Sequence, residues 1–86
     1  MASDDLDLTS VPRYRQIAAR VEAEIRAGVW APGTPAPSKN ALVQRYGVAG
    51  ETARKAQALL ADLGYLVSVP GVGMVVTPRE QWPEQE

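Results

Sequence analysis

Tyr14, Ile17, Ala18, Val21 and Ile25 recur at three- and four-residue steps, the stripe that one face of an α-helix presents. Arg15, Arg20, Glu22 and Arg26 fall off that stripe. The spacing therefore predicts an amphipathic helix that starts near Pro12, with Thr9 or Ser10 as its cap, and stops at Gly28. The connector VWAPGTPAP is rich in turn formers, and Val29 and Trp30 are expected to form a short strand with the Trp30 ring over the core. Pro37-Ser38 opens a second helix with Ser38 as N-cap, Leu42, Val43 and Tyr46 as inner face, and Gly47 as its end. Val48 points inward, and a third helix begins near Gly50, burying Ala53, Ala56, Leu59, Leu60 and Leu63 before Gly64 terminates it. YLVSV and MVV are short β-rich runs joined by PGVG, a hairpin whose tip uses Gly71 and Gly73.

These elements make a mainly α fold with a small β-hairpin. Residues 1–11, acidic and poor in apolar groups, are expected to be disordered, residues 12–77 to form one domain, and residues 78–86 to be a tail. Two helices joined by three or four residues, with an apolar residue in the joint, form a helix-turn-helix. A hairpin directly after the second of them makes the arrangement a winged helix-turn-helix: three helices plus a wing. In DNA binders of this kind the second helix of the pair enters the major groove.

Composition narrows the chemistry. At 86 residues the chain holds one core near the lower limit of self-sufficiency. It has no cysteine and no histidine, which removes disulfides, Cys/His metal sites and Ser-His or Cys-His catalytic pairs. No cofactor and no metal are expected, and an enzyme is the least favoured class. No apolar run approaches the roughly 20 residues that cross a bilayer, and MASDDLDL does not resemble a signal peptide, so a cytoplasmic protein is expected. The net charge of −1 conceals a pattern. Asp4, Asp5 and Asp7 make one end acidic, and Glu80, Glu84 and Glu86 the other; Lys39, Arg45, Arg54 and Lys55 surround the corner near Gly47 with only Glu51 among them. Solvated surface charge and an electrostatic footprint for nucleic acid both fit that pattern.

The ordered set YRQIAARVEAEIRAGVWAPGTPAPS, ALVQRYGV, TARKAQALLADLGYLV and the GVG of the wing resembles the GntR-type bacterial regulators over about residues 12–77. The resemblance implies a winged-helix DNA-binding domain. Such proteins generally carry a Glu after the Pro-Ser, a Ser-Arg or Thr-Arg pair at the start of the third helix, and basic residues in the wing. Here those positions are Lys39, Ala49-Gly50, and Ser68, Val69 and Val72; Thr52 and Arg54 keep the expected chemistry. Relatives usually carry a further C-terminal domain. Met1 and the closing WPEQE favour a free-standing small regulator over a fragment.

The DNA-contacting set expected from this reading is Ser38, Lys39, Arg45, Gly50, Glu51, Thr52, Arg54, Lys55, Gly71 and Gly73. Arg54 resembles the family's phosphate or guanine contact; Lys39, Lys55 and, more weakly, Arg45 are phosphate candidates. Glu51 either complements the helix dipole or accepts a hydrogen bond from a cytosine amine. Thr52 can bond a phosphate, a thymine edge or a carbonyl of its own helix. Gly71 and Gly73 either let the backbone approach a phosphate or simply make a tight turn. Two functions follow: a DNA-binding transcription regulator, expected as a homodimer on a palindromic site, or a winged-helix protein-interaction module. In the second, base reading has been lost and Trp82 or the acidic ends serve as handles.

Overall fold

The computed structural model describes residues 11–84. Helices α1 (Arg13–Arg26), α2 (Lys39–Tyr46) and α3 (Gly50–Leu63) are followed by strands β1 (Leu66–Val69) and β2 (Gly73–Val76) and a 3-10 turn, Arg79–Gln81. Pro12 occupies the cap position of α1 without a side-chain bond, its carbonyl accepting from the N–H groups of Arg15 and Gln16. The expectations of a Thr9 or Ser10 cap and of a disordered acidic start concern residues that, Val11 excepted, lie outside the described ones.

The stripe Ile17, Ala18, Val21 and Ile25 is buried as its spacing requires, and α1 lies against α3. Ala53 and Ala56 supply the α3 side with Leu60, and small side chains at a contact let helix axes come close. Leu42 and Val48 close the core under the corner. Gly47 makes that corner: its φ of +65° is a left-handed conformation that a side chain would strain, and its N–H caps α2 by donating to the carbonyl of Val43 at 2.9 Å. Leu63, expected inside, is 40 % exposed, and Leu59 is half-buried. Gly64 turns the chain immediately after Leu63, and the fully buried Tyr65 fills the interior position instead.

In the hairpin Leu66 pairs with Val76, Val67 with Val75, Ser68 with Met74 and Val69 with Gly73, antiparallel. The strand expected at Val29–Trp30 does not form, although the Trp30 ring does pack on the core, with its Nε1 donating to Glu24 at 2.8 Å. The pairing falls later in the connector. Pro35 bridges Val75, the N–H groups of Gly33 and Ala36 donate to the carbonyls of Val76 and Met74, and that of Val76 donates to the carbonyl of Thr34. Proline tolerates such an edge because its missing N–H faces away from the ladder.

The segment read as a tail packs on the body through Trp82 and Pro83. After the 3-10 turn Trp82 is 7 % exposed, donates through Nε1 to the Thr77 carbonyl at 3.0 Å, and stacks obliquely on Tyr65 with centroids 5.8 Å apart. The Arg26 guanidinium lies 5.3 Å from the Tyr65 ring and 5.8 Å from that of Trp82, and donates to the Pro83 carbonyl. Arg79 approaches Trp82 at 5.1 Å. Trp82 is thus a core residue and offers no exposed handle to a partner. Among the described residues no helix is long and apolar enough to cross a membrane.

Candidate nucleic-acid interface

Because α3 buries Ala53, Ala56 and Leu60, its helical period turns Glu51, Arg54 and Lys55 to solvent. The Arg54 side chain is 65 % exposed and that of Glu51 64 %; Arg54 Nη1 stands 3.6 Å from Glu51 Oε1, one turn apart. An ion pair this exposed is weak and readily exchanged for another partner. Lys55, about 100° further round the helix, borders a groove with Tyr14, Ala58, Leu59 and Asp62 between α3 and α1. Thr52 is half-buried.

Gly50 opens α3 without a side chain, and Lys39 uses the space. A methyl group at Gly50 would stand 3.8 Å from each of Lys39 Cδ, Cε and Nζ, so the lysine leaves the first turn of α2 and lies over the start of α3. Two helix N-termini disfavour a cation there. Exposure to water limits that cost. Ala49 has the extended backbone of an N-cap residue (φ −70°, ψ 157°) but no side-chain acceptor for the first-turn N–H groups. Ser38 caps α2 as expected, its Oγ accepting from the Ala41 N–H at 3.1 Å, so its hydroxyl is engaged within the protein.

Arg45 takes a different direction. Its guanidinium makes a two-pronged ion pair with Glu24 of α1 and lies 5.0 Å from the Tyr46 ring, so it ties α2 to α1 instead of joining Lys39 and Arg54. Gly71 and Gly73 hold positive φ (79° and 110°) on either side of the 60 % exposed Val72, as the wing tip requires. Between the wing and the start of α2 runs an open groove lined by Pro37, Ser38, Lys39, Gln57, Val72 and Met74. Gln57 was absent from the expected set. It donates to the Pro37 carbonyl at 3.0 Å and so fixes α3 to the connector below that groove. Its position one turn after Arg54, beside the buried stripe, was the available signal.

The pattern described as "Bacterial regulatory proteins, gntR family" matches residues 13–76. This chain belongs to the GntR family. Among curated relatives it is 38 % identical over 68 residues to "HTH-type transcriptional regulator TreR" of Bacillus subtilis (strain 168), covering 79 % of this chain and 27 % of that protein. It is also 38 % identical over 65 residues to the "Mannosyl-D-glycerate transport/metabolism system repressor MngR" of Escherichia coli (strain K12), covering 76 % and 27 %. The chain thus spans about a quarter of the length of these relatives. Among solved structures, YtrA from Sulfolobus acidocaldarius, a GntR-family transcription factor, superposes with a TM-score of 0.78 at 33 % identity, covering 91 % of this chain and 83 % of that one. AraR(DBD) in complex with operator ORR3 gives 0.74 at 31 % identity, covering 90 % and 93 %. Three helices and a two-stranded wing are the shared GntR architecture, as the sequence resemblance implied.

Proposed function

We propose that this chain is the DNA-binding unit of a GntR-type transcription regulator, with α3 in the major groove and the wing near the backbone. The observation that carries the reading is the exposed group of Lys39, Arg54 and Lys55 around the start of α3, on a fold of which 90 % matches AraR(DBD), a protein solved on its operator. Arg54 supplies the phosphate or guanine contact, Lys39 and Lys55 phosphate contacts, and Thr52 a contact at the groove edge. Glu51 stands among them at the groove. Gly50 lets Lys39 lie close, and Gly71 and Gly73 let the wing backbone approach the duplex. Ser38 positions the start of α2, and Arg45 supports the corner through Glu24 rather than touching phosphate. Such a unit acts in the cytoplasm without catalysis, as a homodimer on a palindromic site, each copy reading one half.

A second reading, a protein-interaction module, rests on the wing: its tip carries no cation and presents Val72 to solvent. Titration of random and selected duplexes at two salt concentrations separates the two. Three phosphate-neutralising cations per copy give a log–log salt slope of about −2.7, doubled in a dimer. The absence of salt-dependent binding, with Arg54→Ala changing nothing, leaves the interaction module.

A further inference from the structure

We infer that Glu51 is a specificity-determining residue of the interface, reading a cytosine next to the base read by Arg54; this rests on the DNA-binding reading above. The Glu51 carboxylate stands on the outward side of the first turn of α3, almost two-thirds exposed, 3.6 Å from Arg54 and next in sequence to the Gly50 that Lys39 overlies. Facing a polyanion, that carboxylate repels phosphate and weakens sequence-independent affinity. In the major groove its chemistry favours one base: a carboxylate only accepts hydrogen bonds, and the cytosine N4 amine is the donor it suits, whereas the adenine N6 amine has the N7 acceptor beside it and guanine and thymine offer no amine there.

Its neighbour has the complementary chemistry. Arg54, three residues on, donates in the forked geometry that fits guanine O6 and N7. Three residues of helix advance about 4.5 Å along the axis, close to the roughly 3.4 Å between successive bases of a strand. The two side chains therefore suit adjacent base pairs. Before DNA arrives, the ion pair at 3.6 Å holds the Arg54 fork beside Glu51 on the groove side of the helix. On the duplex the carboxylate exchanges the guanidinium for the cytosine amine. A guanine or thymine in its place leaves the carboxylate desolvated against acceptors, and an adenine sets its N7 acceptor beside it, so the wrong base is rejected rather than merely unrewarded.

The test is selection of bound duplexes from a random pool with wild type and Glu51→Gln, together with direct titration of the preferred duplex and of its variants at each position. The expected wild-type profile contains a C·G pair adjacent to the Arg54-dependent position. In Glu51→Gln the preference at that pair drops by about 5- to 150-fold, the span of one good base contact, while affinity for random duplex rises. An Arg54→Ala profile changes at the neighbouring pair instead. If Glu51→Gln leaves every base preference as in wild type and only lowers Tm, Glu51 serves the α3 dipole and the inference is overturned while the DNA-binding reading stands. If the wild type binds no duplex in a salt-dependent way, both fall together.

Discussion

At the Leu63 end of α3, Gly64 closes the helix, the Thr77 hydroxyl donates to the Gly64 carbonyl, and Tyr65 is fully buried between Glu22, Arg26 and Trp82. At the Gly50 end the helix starts on an alanine that offers no side-chain acceptor, its opening residue has no side chain, and a lysine lies over it. One helix thus has one end whose polar groups are satisfied by the protein and another whose charges face water. Satisfied groups contribute to holding the domain together. Charges left facing outward cost little in water and retain their capacity for an external partner. The difference teaches that stability and recognition are separated along the 14 residues of one helix, about four turns, so that mutations at the two ends should fail in different assays.

The largest expected break is Trp82→Ala. Removing a buried tryptophan costs about 3–5 kcal/mol, a large share of the stability of a domain this small. Its Tm, read by circular dichroism, should fall by more than about 12 °C, whereas a dispensable tail would leave it unchanged. Gly64→Ala tests the same end from the other side. Its new methyl would fall on the Gln81 carbonyl oxygen in a backbone with φ of +99°, so the 3-10 turn must lift away.

Tyr65→Phe is expected to cost about 2 kcal/mol, since its hydroxyl donates to Glu22 at 2.7 Å and accepts from Arg26 Nε at 2.9 Å, both charged partners. It also carries a pH signature. Burial, seconded by the Glu22 hydrogen bond and opposed by Arg26, raises the Tyr65 pKa above its ordinary 10.0. A raised folded value means the contribution is complete below the unfolded pKa and is lost as pH climbs through the folded one. Urea midpoints should therefore fall more steeply on the alkaline side of pH 10 for wild type than for Tyr65→Phe.

That satisfied end was the part least legible in the sequence, and the reason is physical. Helices α1 and α3 announce themselves because a buried stripe repeats with the helical period, and Gly47 and Gly64 mark corners that any sequence must make with such residues. Trp82 has no periodic neighbours; its burial depends on a site that Tyr65 and Arg26 build from distant parts of the chain. The same holds for Arg45, whose charge reads as available until the fold brings Glu24 alongside, and for the edge at Pro35, which needs β2 to exist first. At the outward end legibility was better. Exposure of Glu51, Arg54 and Lys55 follows from the period alone, whereas the path of Lys39 over Gly50 required the angle between two helices.

Arg54→Ala sharpens the comparison from the recognition side. Binding should weaken about tenfold, roughly 1.4 kcal/mol, with stability within about 0.5 kcal/mol of wild type because the side chain is exposed. A phosphate contact predicts equal weakening on every duplex and a salt slope shallower by about 0.9 per copy. A guanine contact predicts a loss confined to one base pair. Fluorescence anisotropy at two salt concentrations distinguishes them, and a fall in Tm comparable to that of Tyr65→Phe would blur the division between the two ends.

The smallest and most discriminating change is Ala49→Ser. Residue 49 already has the extended backbone of an N-cap, so a serine there can accept from a first-turn N–H of α3 without rearrangement. Supplying the missing cap should stabilise the domain by about 1 kcal/mol. If the outward end keeps its donors for a duplex, engaging one of them internally should also weaken DNA binding, by a few-fold at constant salt. Stability and affinity would then move in opposite directions from a single hydroxyl. A serine that raised Tm and left affinity untouched would mean the start of α3 lacks a cap for no reason connected with DNA, and the contrast between the two ends would reduce to a difference in packing alone.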